Sequence, residues 1–395
     1  MRHLSKIAGA LLLIAGSLLV GLLVIEGVME IMGIRYDRLW EPDPQLGWRS
    51  IPQAERHWTD EGDGWVHVNT LGHRDRERNL GKQANTFRIA VFGDSMTEAV
   101  QVNLDKTFTY LLEDSLDING QKTEVLNLGV TGYSPIQELL LFKEEGSRYR
   151  PDLVVLAVFL DNDIADCHPK LTLSPGRAPV MKVNGQDTLF DYKGAEHSYE
   201  DYHRQPFDWL RQHSRIYRLI ATWRWRMKQI AEKGERGATG PVETKVPTRF
   251  LLYQKPLQPE WEEAWRVFER VITEFSAEAD RLNAKFVVLS VPVSFVVKQD
   301  IWAGLLRSNP AMQTVTWDLE GPDRRLQAIT EAHGIPLLTA YPFFRKVNST
   351  EPLFYGDIGH FTPRGHEVMA SFLREYFLNG EPSKNGNAGM AQPGS

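Results

Sequence analysis

From Ile7 to Ile25 the chain runs IAGALLLIAGSLLVGLLVI without a charge. As a helix rising about 1.5 Å per residue, this stretch reaches roughly 28 Å, close to the hydrocarbon thickness of a bilayer. Leu, Val, Ile, Ala and Gly cover all of its faces, unlike a core helix with one polar side. Further along, five apolar runs recur: FRIAVFG (87–93), TEVLNLGV (123–130), DLVVLAVFL (152–160), AKFVVLSVPV (284–293) and IPLLTA (335–340). Near-continuous apolar runs of this length predict strands buried on both faces of a parallel sheet. Helical stretches are predicted between them at 105–117, 135–147, 259–283 and 322–333. A last one at 363–379 begins with Pro363 in the first turn, where its missing N–H costs no hydrogen bond. The order βαβαβ, insertion, αβαβα predicts a three-layer α/β/α sandwich whose ligands sit beyond the carboxyl ends of the strands.

The same pattern divides the chain. Residues 1–34 are expected to form an N-terminal transmembrane anchor, because the apolar stretch is longer than a signal peptide's usual core and no small-x-small cleavage site follows. Arg2 and Lys6 precede it and Glu26 and Glu30 follow, so the positive-inside rule places the rest of the chain across the inner membrane, on the periplasmic or extracytoplasmic side. Residues 35–86, rich in Trp, Pro, Gly and charge, read as a β-rich collar. The main α/β domain is expected over 87–379, with a helical insertion at 168–258 after the third strand. The insertion holds a basic aromatic helix around 207–233 and a Gly-rich loop at 234–241. Residues 380–395 are almost devoid of apolar side chains and read as a disordered tail.

Composition narrows the chemistry. The 395 residues carry a formal net charge of −6, which offers no basic field for nucleic acid. The lone cysteine, Cys167, rules out an intramolecular disulfide framework and a Cys-based metal site.

Four strand ends carry candidate catalytic residues: Gly93-Asp94-Ser95, the turn reaching Thr131-Gly132, Asp161-Asn162-Asp163, and Asp357-Ile358-Gly359-His360. A doubly wound fold gathers such ends on one edge. Ser95 reads equally well as a helix N-cap until a base is found. His360, with Asp357 three residues before it, supplies a base and a carboxylate from a single turn. The Ser95 and Gly132 backbone N–H groups and the Asn162 amide are candidate oxyanion donors. Each also has a plain structural role as turn or cap.

In this order, Gly93-Asp94-Ser95, Gly132, Asn162-Asp163 and Asp357-x-x-His360 resemble the four blocks of the SGNH, or GDSL-like, hydrolases, spread over some 270 residues. The resemblance implies a flavodoxin-like sheet, a Ser95–His360–Asp357 triad, an oxyanion hole of Ser95, Gly132 and Asn162, and no cofactor or metal. It implies an esterase working through an acyl-enzyme. Beside the membrane, an acylated carbohydrate or other small ester is the expected substrate, with O-acyl transfer to a polysaccharide as the alternative. One departure stands out: Leu160 occupies the position two before Asn162 where the family usually has Gly. The serine also lacks the second Gly of the G-x-S-x-G elbow of α/β-hydrolases.

Two other classes compete. Asp161 and Asp163 flanking a strand end could hold Mg²⁺ for group transfer. Eleven tryptophans, among them Trp209, Trp223, Trp225, Trp302 and Trp317, could instead serve a non-catalytic glycan-binding module, although most are expected to be core. The Arg211–Lys228 stretch could lie on anionic lipid, but an ordinary amphipathic helix explains it as well.

Overall fold

The computed structural model describes residues 2–33, 38–118, 120–172, 174–185, 187–204, 213–224 and 246–379, with residues 210 and 227. The Gly-rich loop at 234–241, Trp209, Trp225 and the tail from residue 380 lie outside these.

Five strands build one parallel sheet: β5 (Thr86–Gly93), β6 (Lys122–Gly129), β7 (Leu153–Phe159), β10 (Lys285–Val291) and β11 (Leu337–Thr339). Their spatial order is β11-β10-β7-β5-β6. Counted along the chain this is 2-1-3-4-5, the flavodoxin-like winding, which reverses direction at β5. Every residue of β7 is buried, as expected of a central strand covered by helices on both faces. Helices Pro135–Tyr149 and Pro259–Arg281 pack together on one side, where Phe142 and Phe275 stack with centroids 5.3 Å apart. Helices Phe108–Ser115 and Pro363–Asn379 pair on the other. The three-layer α/β/α sandwich read from the sequence is the fold observed.

Ahead of the sheet lie two antiparallel hairpins, β1 (Trp40–Asp43) with β2 (Gly47–Ser50), and β3 (Glu55–Trp58) with β4 (Gly64–His67). They enclose a small cluster of Leu39, Ala54, Val66, Val68 and Val100. Strands this short do not bury enough apolar surface to stand alone, and polar contacts weld them to the sheet. Arg74, fully buried, donates to the carbonyls of Glu98 and Val102. Glu98, also buried, accepts from Trp40 Nε1 at 3.1 Å. Gln137, in the capping box of helix Pro135–Tyr149, donates to Leu46 O at 2.7 Å.

The insertion departs from a purely helical reading. It opens with the hairpin β8 (Val180–Asn184) and β9 (Asp187–Asp191), followed by helix Lys193–His203. The helical residues from 215 onward meet the N-terminal helix Arg2–Ile31: the amide of Ile216 and the hydroxyl of Ser214 donate to Glu26 at 3.2 and 3.0 Å, and Arg215 pairs with Glu30 at 2.6 Å. The stretch Gly9–Ile31 of that helix has a mean hydropathy of 2.5 and side chains left open to the surroundings, long and apolar enough for a membrane anchor or signal sequence. Trp302 and Trp317 pack edge to face beside the main core and Trp223 is exposed.

Candidate active site

The winding reverses between β5 and β6 on one side and β7 on the other, and the crevice at that point is where the loops after these strands converge. Ser95 follows β5 and opens the single helical turn Ser95–Glu98, with Asp94 as its N-cap accepting from Met96 N at 2.9 Å. That turn lies against the end of β6 so closely that a Cβ on Gly129 would strike the amide of Glu98. Asn127 pins the turn from below by donating to Thr97 O at 2.8 Å. Ser95 is therefore both the start of a helix and a serine fixed at a strand end.

His360 reaches it from the loop between helix Tyr341–Lys346, which follows β11, and helix Pro363–Asn379. Its Nε2 lies 2.8 Å from Ser95 Oγ. The chain brings these two together across 265 positions of sequence. The expected contact from Asp357 is not formed. His360 Nδ1 is bonded to the carboxylate of Glu61, which also accepts the His360 backbone N–H at 3.2 Å. Asp357 is exposed and held through its carbonyl, which accepts from Ser294 Oγ at 2.5 Å. Three residues before the histidine, the chain at Asp357 is still turning through the surface loop, while Glu61 arrives from the β3–β4 hairpin. Burial alone would raise the Glu61 carboxyl, but the hydrogen bond and charge of His360 outweigh it and hold the group below the ordinary carboxylate range.

Gly132 adopts φ +77° in the turn after β6, a conformation open to glycine and strained for other residues. The turn is held at both sides: Thr131 N donates to Glu98 at 2.6 Å, and Trp48 Nε1 donates to Thr131 O at 2.9 Å. Among the described residues, neither the Ser95 nor the Gly132 amide has an acceptor. Asn162 sits at the end of β7, but its Nδ2 is engaged by Asp163 at 3.2 Å and Asp166 at 3.1 Å. As it stands, the amide serves an acidic pocket and would have to exchange one of these bonds to face an oxyanion.

That pocket has an unusual charge balance. Asp94, Glu138 and Asp163 are buried, with Asp166 beside them. Burial pushes Asp94 up to about 6, partly offset by its bond from Met96 and by the nearby His360. Burial, then repulsion from neighbouring carboxylates, holds Glu138 and Asp163 well above their usual range, so the neutral acid is favoured in both. The two aspartates of the candidate metal pair point to different partners: Asp163 accepts from Phe159 N at 2.7 Å, whereas Asp161 faces Arg249 at 3.5 Å. Leu160, where the family pattern has Gly, is buried, and its carbonyl accepts from Tyr253.

A groove of about 790 Å³ runs from the Thr131-Gly132 turn between the collar and the insertion. Arg38, Trp40, Trp48, Arg177 and Tyr202 contribute to its walls. The Arg177 guanidinium lies over the Trp48 ring, 5.8 Å from its centroid.

No protein-family model matches this chain, and no curated protein matches its sequence. Among solved structures it is similar to a GDSL-like lipase from Bacteroides thetaiotaomicron, at 13% identity and a TM-score of 0.35, covering 76% of this chain and 92% of the other. It is similar to a lipase/acylhydrolase from Enterococcus faecalis, at 15% identity and a TM-score of 0.37, covering 75% and 98%. An acetyl xylan esterase gives 14% identity and a TM-score of 0.37, covering 73% and 99%.

Proposed function

We propose that the protein is a membrane-anchored serine esterase that removes O-acyl groups, acetyl above all, from envelope or extracellular glycans, with its site on the extracytoplasmic side. The observation that carries this is the 2.8 Å contact between Ser95 Oγ and His360 Nε2, the separation at which a base can take a hydroxyl proton.

His360 accepts the Ser95 proton as Oγ attacks the ester carbonyl. The carbonyl oxygen becomes an oxyanion facing the amides of Ser95 and Gly132, fixed dipoles that need no rearrangement as the charge develops. Collapse breaks the bond to the alcohol, which leaves with the proton from His360, and the acyl group stays on Ser95. Water then attacks with His360 again as base, releasing the carboxylic acid and restoring the serine. The groove beside Gly132, walled by Trp40, Trp48, Arg38 and Arg177, has the mixed aromatic and cationic lining that suits a sugar-bearing alcohol. The extracytoplasmic placement is motivated by Arg2 and Lys6 before the apolar helix.

A fluorophosphonate probe should label the full-length protein. Ser95→Ala should abolish labelling and lower short-chain ester hydrolysis by at least about 10³-fold. Labelling that survives the substitution overturns the serine mechanism. A probe that cannot cross the inner membrane should label spheroplasts as fully as lysed cells, and labelling only after lysis overturns the topology.

A further inference from the structure

We infer that Glu61, from the β3–β4 hairpin, is the carboxylate that positions His360 for catalysis, so that the N-terminal collar is a working part of the active site. This rests on the serine-esterase reading and deepens it. Imidazole acts as a base toward Ser95 only if Nδ1 carries the proton, and the partner at Nδ1 sets that tautomer. The same partner stabilises the imidazolium formed when the serine proton arrives. Glu61 meets both needs, because one carboxylate oxygen lies on Nδ1 while the other accepts the His360 backbone N–H. Two contacts on one residue fix the ring's rotation as well as its protonation.

The local sequence is shaped to permit this approach. A Cβ at Gly359 would collide with Glu61 Oε1 and with the Tyr355 carbonyl, so the residue preceding the base has to be glycine for the carboxylate to arrive. Gly62 follows Glu61 at φ +73°, and a Cβ there would strike the Gln101 carbonyl and crowd the Tyr355 ring. The Asp63 amide donates to that same Gln101 carbonyl at 3.1 Å. The β3–β4 loop is thereby docked on the segment following the Ser95 turn, and the His360 loop is held by Tyr355 N donating to His360 O at 2.8 Å. Asp357 has no comparable seat: it is exposed, and its recorded bond runs through the main chain.

The test compares Glu61→Gln, Glu61→Asp and Asp357→Asn in the full-length protein, using a short-chain ester. Glu61→Gln keeps the shape but removes the charge, and should lower kcat about 10²- to 10⁴-fold with little change in KM. The acid limb of its kcat/KM profile should move to lower pH, because the base loses a neighbouring negative charge. Glu61→Asp should recover part of the rate, and Asp357→Asn should cost far less than Glu61→Gln. The far-downfield Nδ1 proton resonance of the wild type should disappear in Glu61→Gln and persist in Asp357→Asn. A Glu61→Gln enzyme of wild-type rate and pH profile, with Asp357→Asn crippled, overturns the assignment and returns the role to Asp357. Loss of activity in Glu61→Gln with an unmoved acid limb and a retained resonance also overturns it, since that is what a purely structural residue would give. Survival of hydrolysis in Ser95→Ala would instead refute the serine mechanism beneath it.

Discussion

The sheet and the collar solve the same problem by opposite means. The sheet positions Ser95, Gly132 and Asn162 through apolar strands whose ends fall on one edge, so its geometry follows from burial. The collar has little core of its own, and it reaches the site through single polar atoms: Trp48 Nε1 on the Gly132 turn, Trp40 Nε1 on Glu98, and the Glu61 carboxylate on His360. Burial is redundant, since many contacts share the load. A hydrogen bond between distant loops is not, and one substitution removes it. The sheet side should therefore respond to bulk conditions, and the collar side to precise deletions.

The largest expected effect lies on the sheet side, in the helix pair that covers it. His366, in the closing helix, is fully buried, and its Nδ1 accepts the Phe108 amide. Burial, aided by the charges of Arg74 and His360, lowers its pKa to about 3. The folded state therefore refuses a proton that the unfolded chain accepts near pH 6.5. The stability involved is fully present above that value and is lost as pH falls toward 3, by about 5 kcal/mol for a shift of this size. Over pH 7 to pH 4 the raised Asp94, Glu138 and Asp163 carboxyls contribute with the opposite sign in both proteins, so the readout is the difference. In urea unfolding the wild type should lose stability relative to His366→Gln as the pH falls. Equal slopes would mean that the helix pair is not the acid-sensitive element.

Next comes the weld between the two regions. Arg74→Ala would leave the buried carbonyls of Glu98 and Val102 without their donor, at a cost of about 1–3 kcal/mol for each group left unsatisfied, read as a lowered urea midpoint. A loss under about 1 kcal/mol would show that the collar is attached by its apolar cluster instead. The smallest effect is the most local. Trp48→Phe keeps the ring but deletes the donor to Thr131 O, worth about 0.5–1.5 kcal/mol. With the Gly132 turn loosened, kcat should fall about 3- to 10-fold while the urea midpoint falls less than in Arg74→Ala. An unchanged kcat would show that this bond does not set the Gly132 turn.

The same contrast explains what could be read from sequence. The five strands announced themselves as apolar runs, and the helix at Pro363–Asn379 began at its first-turn proline as expected. Ser95 and His360 were found because each follows a strand, and a doubly wound topology forces strand ends together. Glu61 was not found. It stands 299 positions from His360, in a loop with neither strand nor helix periodicity, and a glutamate beside two glycines looks like any solvated turn. The sequence points to Asp357 because proximity along the chain is visible, whereas a loop docking across the fold is not. The acidic surroundings of Asn162 were hidden for a related reason: Asp94, Glu138 and Asp166 lie on three separate segments, and only packing collects them. The β8–β9 hairpin escaped because its strands are short and half-exposed, with weak alternation.

The junction between the apolar helix and the collar sets a leash. From Ile31 to Arg38 the backbone can span at most about 25 Å even fully extended, and the clamp of Ser214, Arg215 and Ile216 on the Glu26–Glu30 end ties the insertion to the same helix. With that helix in a bilayer, the reaction volume is a thin shell over the lipid surface. An ester anchored in the same bilayer would meet the serine at an effective concentration set by the two tethers, on the millimolar scale.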